Sequence, residues 1–259
     1  PHRKVYTVQF NRPKTLNALT SPMGSEFMRI CASLASIPVV RAVVLTGSGR
    51  AFSAGGDLKF LWDRTRTPPD ENAEIMRGFY GMFLGAVRTI PVPTIAAING
   101  HAVGAGLCLA LACDLRIAAS NAKLGVNFVR LGLHPGMGAT HTLPYLLPPQ
   151  AAARLLLTGD LIDASEAASL GLVLKSVSAD DLHAETLALA RRIASASPVA
   201  VRATLKTLRI ASGTGIDAAL QREADAQAVC YAMQDMQEGL QAIEGKREPM
   251  FADVVRAHK

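Results

Sequence analysis

Residues 99–107 form the stretch Asn-Gly-His-Ala-Val-Gly-Ala-Gly-Leu, a glycine-rich turn that enters an apolar helix. The pattern predicts a strand over Ile95–Asn99 before it and a short buried helix over Gly104–Ala112 after it. Small residues leave backbone N–H groups uncovered, and the first turn of a helix adds unsatisfied donors at the positive end of its dipole. This stretch therefore predicts an α/β chain with backbone donors at a strand-to-helix turn.

A second segment of the same character lies at residues 51–58, Ala-Phe-Ser-Ala-Gly-Gly-Asp-Leu. It follows, by a short loop, the apolar run Val39–Thr46, which is typical of a strand buried on both faces. Alone, each turn is better explained by tight packing of a loop on a helix. Facing each other, the two turns would form an oxyanion hole, in which each donor lowers the barrier by roughly 3 kcal/mol.

Flanking segments extend the α/β pattern toward both ends of the chain. Tyr6, Val8 and Phe10 alternate with polar residues, which indicates a half-buried strand. From Pro198 onward the sequence is almost entirely of helical character. The order of elements predicts an α/β core over residues 1–197 and a helical region over residues 198–259.

Local signals predict where several elements begin and end. Ser21-Pro22 opens a helix, with proline at the first helical position. Asp163-x-x-Glu166 is a capping box, and Gly171 is a helix stop. The polar stretch 63–72 predicts a mobile surface loop. The helix predicted after it has one apolar side, formed by Ile75, Phe79, Met82, Phe83 and Ala86.

Composition narrows the class of protein. The chain has 259 residues, of which 49% are hydrophobic and 19% charged, so it is globular and not disordered. Its net charge of +6 is dispersed and aromatics are scarce, which disfavours nucleic acid and leaves a small phosphate-bearing ligand as a second interpretation. The most apolar run, Val103–Cys113, is too short to span a membrane.

The cysteines and the N-terminal residues bear on the cellular compartment in which the protein is expected. Four cysteines are scattered without a C-x-x-C pair, and Pro1–Lys4 leads into a predicted strand with no apolar signal-peptide region. We therefore expect a reduced, cytoplasmic protein. No cluster of metal-ligand spacing is predicted.

Two competing motifs are weaker. Residues 51–55 resemble the nucleophile elbow of a hydrolase, with Asp114 and then His134 or His141 in the right chain order. An elbow serine ends a strand directly, however, whereas residues 47–50 separate the apolar run from Ser53. Residues 136–141 imitate a dinucleotide fingerprint but lack its third glycine.

Together these motifs carry a family resemblance. The chain resembles the crotonase superfamily, the enoyl-CoA hydratases and isomerases, in five blocks in the family's order. The resemblance implies an α/β spiral of β-β-α units with a helical C-terminal trimerisation region. The matching blocks are Asn11–Leu19, Ala51–Leu58, Asn99–Asp114, Leu131–Gly136 and Lys246–Phe251.

The resemblance also implies roles for particular residues. The N–H groups of Ala54 and Ala105 match the two oxyanion-hole donors, with alanine at 105 in place of the usual glycine. Asp57 is first of all a helix cap, and Asp114 closes the buried helix as a structural residue. The positions expected at the substrate, mostly along its CoA portion, are Lys14, Leu16, Gly55, Gly56, Asp57, Lys246 and Phe251.

Two positions depart from the family pattern. A hydratase of this family uses two glutamates to hold and activate water, and the aligned residues here are Cys108 and Phe128. A thiol in an apolar helix has a raised pKa and is inert. His134 is then the best candidate for a general base, although a loop histidine bonded to backbone explains it equally well. Asn127 is the candidate for orienting a water or a carbonyl.

These observations predict an acyl-CoA-processing enzyme of the lyase or isomerase class in fatty acid metabolism. The alternative is a non-catalytic acyl-CoA-binding protein on the same fold. Coenzyme A enters as part of the substrate, and no separate cofactor, nucleic acid or membrane partner is predicted. The resemblance implies a homotrimer or a dimer of trimers.

Overall fold

A repeated unit of a strand, a second short strand and a helix organises the chain. The computed structural model describes residues 5–210 together with Glu238, Ala242, Gly245, Arg247, Met250 and Phe251. The strands are Val5–Phe10 (β1), Ala42–Gly47 (β2), Ala51–Ser53 (β3), Thr94–Ile98 (β4), His101–Val103 (β5), Leu115–Ala119 (β6), Lys123–Gly125 (β7), Leu161–Asp163 (β8) and Lys175–Val177 (β9).

Helices connect these strands and cover the sheets. They are Ser21–Ser36 (α1), Leu58–Arg64 (α2), Pro69–Tyr80 (α3), Ala86–Thr89 (α4), Ala105–Leu111 (α5), Ala139–Leu146 (α6), Pro149–Thr158 (α7), Ala164–Ser169 (α8), Leu182–Ser195 (α9) and Pro198–Ile210 (α10). A π-helical turn, Gly81–Gly85, joins α3 to α4, and 3₁₀ turns lie at Pro13–Thr15 and Asn127–Leu131. Of the helices described, none has the length and apolar character needed to cross a membrane.

The strands form two sheets. The larger has five strands in the order β1-β2-β4-β6-β9, all parallel. The smaller has the order β3-β5-β7-β8, parallel except for its last pair. In each unit the first strand joins the larger sheet and the short one joins the smaller, which confirms the predicted spiral of β-β-α units. Because β3 pairs with β5, the turns that follow these two strands lie side by side.

Burial on both faces explains the composition of the larger sheet. Every residue of β4 is buried, and β2 is buried except for Thr46. One face packs against Leu182 and Ala190 of α9. The other face packs into the main core, which also contains the phenylalanine cluster Phe10, Phe27, Phe52, Phe79 and Phe83.

Several predicted boundaries are confirmed. Helix α1 begins at Ser21, with Thr20 as its cap and proline in the first turn. Asp163 Oδ1 accepts the Glu166 N–H at 2.8 Å, which is one of the two bonds of a capping box, and Gly171 adopts a φ of +81° just beyond α8.

The predicted loop at residues 63–72 is wrong in large part. Helix α2 continues through Arg64 and α3 already begins at Pro69, so that only a short turn separates them. Proline is well tolerated in the first turn of a helix, where an N–H has no acceptor, so Pro68-Pro69 marks a helix start here. Asn72 reinforces the turn by donating through its side-chain amide to the carbonyls of Arg64 and Thr67.

An ion pair fixes α10 to the core. Arg209 donates to both carboxylate oxygens of Asp114, at 3.0 and 2.8 Å, and to the Ile90 carbonyl at 2.8 Å. Asp114 also accepts the Thr94 N–H and hydroxyl, which supports its predicted structural role. The predicted division at residue 198 coincides with the start of α10 and otherwise stays a prediction, since most of residues 211–259 lie outside the described residues.

Candidate active site

The pairing of β3 with β5 brings the two glycine-containing turns into contact. Ser53 lies opposite Ala102 in this pair. A Cβ placed on Gly55 would lie 2.9 Å from the Val103 carbonyl oxygen and 3.5 Å from the Ala105 nitrogen. Gly55 also has a φ of +104°, a conformation that side chains disfavour. Glycine at this position therefore permits both the turn and the close approach of the two backbones.

Two backbone N–H groups lie at this contact, those of Gly56 and Ala105. Ala105 is the first residue of α5, where an N–H has no acceptor within the helix. Gly56 pairs with Leu19 as an isolated parallel bridge, in which the Gly55 carbonyl and the Asp57 N–H face Leu19 and the Gly56 N–H points away. Within residues 5–210, neither N–H has a hydrogen-bond acceptor.

The N–H of Ala54 is used differently from the prediction. It donates to the Leu16 carbonyl at 2.9 Å, so that this donor is already satisfied inside the chain. The assignment of Ala54 as an oxyanion donor is therefore corrected. Its hydrogen bond instead attaches the 12–19 loop to the turn that carries Gly56.

Asn17 organises that loop, and sequence reasoning missed it. It is fully buried, with a φ of 54°, and its side-chain amide donates to the carbonyls of Ser48 and Ala51. Its Oδ1 accepts the Arg12 N–H at 2.8 Å. Asparagine tolerates the left-handed conformation and bonds locally to backbone, which is the only signal that the sequence carries for this role.

Ser53 is not an activated nucleophile. Its side chain is fully buried, donates to the Asn17 carbonyl at 2.9 Å and accepts the Gly55 N–H at 3.2 Å. No histidine is among its partners in the part of the chain that the structure describes. These bonds argue against the hydrolase interpretation. They indicate that Ser53 stabilises the turn before Gly56.

Asp57 has the capping role predicted for it. Its carboxylate accepts the Lys59 N–H at 3.0 Å at the start of α2, and Arg12 lies 3.7 Å away. It also lines a cavity of about 870 Å³ between β1, α1 and α2.

Comparison with known proteins identifies the family of the chain. A family model described as enoyl-CoA hydratase/isomerase matches residues 2–254. The chain belongs to the enoyl-CoA hydratase/isomerase family. The crotonyl-CoA hydratase of Syntrophomonas wolfei is 38% identical over 249 residues, which cover 96% of this chain and 94% of that protein. The short-chain-enoyl-CoA hydratase of Clostridium acetobutylicum is 35% identical over 250 residues, covering 95% and 93%.

Solved structures of the family share the fold. The crystal structure of an enoyl-CoA hydratase from a Polaromonas species superimposes with a TM-score of 0.90 at 33% identity and covers 95% of both chains. That of an enoyl-CoA hydratase from Bacillus anthracis gives 0.87 at 35% identity, covering 95% of this chain and 94% of the other. The predicted family and the predicted crotonase fold are thus both confirmed.

The two positions that resemblance assigned to glutamates carry no acid here. Cys108 lies on α5, and burial raises the pKa of its thiol to about 12. Its S–H points to the Gly136 carbonyl at 3.7 Å. Phe128 lies in the 3₁₀ turn after β7 and packs half-buried against the main core. Neither side chain can activate water as a carboxylate does.

Asn127 lies beside the donor turn. A Cβ placed on Gly104 would lie 3.1 Å from Asn127 Oδ1, so that the amide oxygen is close to the residue preceding Ala105. This position is compatible with the predicted task of orienting a water or a carbonyl, which stays a prediction.

His134 lies between the 3₁₀ turn that follows β7 and helix α6, and its predicted role as a general base stays a prediction. Its side chain is exposed and lines an open, mostly apolar cavity of about 650 Å³ between the turn after β7 and helices α6 and α7. Neither Gly56 nor Ala105 lines this cavity. His101, on β5, is exposed as well, and its Nδ1 accepts the Lys123 N–H, which fits a scaffold residue.

Tyr80 is a polar group near α5 that sequence reasoning overlooked. It is the last residue of α3, is half-buried, and accepts a hydrogen bond from the Met137 N–H. Burial raises the pKa of its phenol, and the neighbouring Cys108 acts in the same direction. The predicted helix over this segment placed Phe79 in the core, but one chain alone contains no signal that its neighbour faces α5.

The remaining predicted substrate positions differ in their exposure. Lys14 is exposed in the 3₁₀ turn Pro13–Thr15, and Leu16 is half-buried. Phe251 is half-buried, whereas Lys246 lies outside the described residues.

Proposed function

We propose that the chain binds an acyl-CoA thioester and holds the thioester oxygen between the N–H groups of Gly56 and Ala105. The observation that carries this proposal is the contact of the two turns, which leaves both donors without an acceptor in the described part of the chain. A carbonyl oxygen that becomes an enolate gains negative charge, and two preorganised donors stabilise it more than they stabilise the ground state.

The reaction that we propose is the addition of water to a 2-enoyl thioester, or the shift of its double bond. Relatives named crotonyl-CoA hydratase and short-chain-enoyl-CoA hydratase support this class. Both reactions pass through a thioester enolate that the two donors would stabilise. Because Cys108 and Phe128 replace the usual glutamates, proton transfer must use other groups. The coenzyme A portion is proposed to contact Lys14, Leu16 and Asp57, with Lys246 and Phe251 from the C-terminal block.

A non-catalytic acyl-CoA binder is the second candidate, favoured by the loss of both carboxylates. Either candidate is compatible with the trimer or dimer of trimers implied by the resemblance, which stays a prediction.

We expect the purified chain to bind crotonyl-CoA in calorimetry and to convert at least one member of a panel of enoyl-CoAs in an assay by mass spectrometry. Free coenzyme A is the matched control, since it lacks the thioester carbonyl and should bind more weakly. Binding without turnover of any panel member would identify the binder. No binding of any acyl-CoA would remove the proposal altogether.

His134→Ala should leave the rate on an active acyl-CoA within about threefold of wild type. The side chain is exposed and lines a cavity that contains neither donor. A general base contributes about 10²–10⁴-fold, so a loss of that size would establish the predicted base role instead. His101→Ala is the matched control, since His101 is also exposed and bonds to backbone. The measurement is kcat for both variants.

A further inference from the structure

Tyr80 occupies an irregular place in an otherwise continuous helix. It is the last residue of α3, and the five-residue π-helical turn Gly81–Gly85 follows it directly. π-Helical turns are rare in proteins overall, but those that occur often lie at functional sites. They change the direction of the neighbouring side chains. The phenol leaves the helix at this irregularity and reaches the 136–137 turn.

The phenolic oxygen lies against the 136–137 turn. The Met137 N–H donates to it, and Met137 itself has a φ of 51°, an uncommon conformation for a residue with a side chain. A Cβ placed on Gly136 would lie 2.6 Å from the oxygen, so that only glycine leaves it room. In the hydrogen bonds of residues 5–210 the phenol acts as an acceptor and never as a donor. The phenolic hydrogen is therefore not donated to any group of residues 5–210.

The phenol lies on the side of α5 that carries the oxyanion donor. The Cys108 S–H points to the carbonyl of Gly136, the residue that lies against the phenolic oxygen. Cys108 is three residues after Ala105, so that the two share a helix face and are separated by roughly 5 Å along the axis. Tyr80 thus stands next to the position from which relatives of the hydratase type project a glutamate.

We propose that Tyr80 is the proton donor to the α-carbon of the enolate in this site. The inference rests on the proposed function. Water bonds to C3 of a 2-enoyl thioester, and the C2–C3 π pair moves to form an enolate whose oxygen accepts from Gly56 and Ala105. The phenol O–H bond then breaks, its proton forms the new C2–H bond, and the carbonyl re-forms. The phenolate takes up the proton that the added water loses, so that one water is consumed and Tyr80 is restored.

The protonation states of Tyr80 and Cys108 are suited to this proton transfer. Burial raises the pKa of Tyr80, which keeps the phenol protonated at neutral pH before the reaction. The Met137 N–H stabilises the short-lived phenolate. This contact lowers the pKa of Tyr80, whereas burial raises it. The titratable neighbour on α5 is Cys108, whose pKa of about 12 leaves it neutral throughout.

Tyr80→Phe tests the proposal with crotonyl-CoA in D₂O. We expect kcat to fall by about 100-fold or more, the range for a lost general acid, while KM stays within about twofold. Wild type should give a 3-hydroxyacyl product with deuterium at C2, detected by mass spectrometry. Tyr145→Phe is the matched control, because Tyr145 is 65% exposed on α6, and it should retain full activity.

Gly136→Ala is the second variant, since the added methyl group displaces the phenol without removing it. We expect kcat to fall at least about tenfold with crotonyl-CoA binding retained. Wild-type kcat in Tyr80→Phe, or equal losses in kcat and binding that indicate a structural role, would overturn the proposal. Crotonyl-CoA bound but not converted by wild type would also overturn it and identify a binder, whereas no binding at all would contradict the proposed function itself.

Discussion

An ester oxygen in place of the Ala105 N–H, introduced as the lactic acid analogue, should lower kcat on an active acyl-CoA by about 10²–10³-fold. The substitution removes one donor and leaves the methyl side chain, so that the packing of α5 is retained. The N–H lies at the first position of the helix and has no acceptor in the described chain, so the fold should lose little stability. Steady-state kinetics and thermal unfolding of the same sample measure both effects.

The same ester at Ala54 is the matched control. There the N–H donates to the Leu16 carbonyl, and its loss should reduce the free energy of unfolding by about 1 kcal/mol. Turnover should stay within about threefold of wild type, because this donor faces the chain and not the ligand. If instead Ala54 lost activity and Ala105 kept it, the donor pair proposed with Gly56 would be wrong and the original assignment of Ala54 would return.

Identifying the donor required the structure because neighbouring N–H groups of an extended segment point in opposite directions. Sequence resemblance located the segment 51–58 and assigned the donor to Ala54, two residues before Gly56. The Leu16 carbonyl and the Leu19–Gly56 bridge decide between them. Both contacts come from a loop more than 30 residues away, whose left-handed turn at Leu16 and Asn17 no periodicity predicts.

The longer strands of the larger sheet were predictable, whereas the three-residue β9 and the smaller sheet were not. Strands such as β2 and β4 are apolar runs buried on both faces, a pattern that the sequence displays directly. Strands β3, β5, β7 and β8 have three residues each, too few for an alternation to be recognised. Their existence depends on pairing with each other across the units of the spiral.

The contacts of the Tyr80 side chain could not be predicted from the sequence either. It meets Cys108 and the 136–137 turn only because α3, α5 and the segment before α6 converge. The sequence shows that Cys108 and Phe128 stand where the family resemblance leads one to expect two carboxylates. The sequence did not show which group replaces these carboxylates. His134 was the candidate because of its position in a loop, and the fold places it at an exposed cavity.

Gly106→Ala should damage the fold and the site together. A Cβ at this position would lie 2.2 Å from the Ser53 carbonyl oxygen and 2.8 Å from the Ser53 Cβ, and the backbone contact cannot yield as a flexible side chain would. Helix α5 must then separate from β3, which should lower the free energy of unfolding by about 2–3 kcal/mol. Because Ala105 and the segment leading to Gly56 stand on opposite sides of this contact, the two donors should separate.

A displacement of about 1 Å can reduce a rate by about 10²-fold, so Gly106→Ala should lose most of its turnover even where it remains folded. Gly78→Ala is the matched control, since Gly78 is exposed in α3 with nothing within 4 Å of an added Cβ. It should raise the free energy of unfolding by about 0.5–1 kcal/mol and leave kcat unchanged. Denaturant unfolding and kinetics of both variants test this pair. A Gly106→Ala protein with wild-type kcat would mean that the contact between β3 and α5 does not set the spacing of the donors, and the oxyanion site would have to be sought outside this pair of turns.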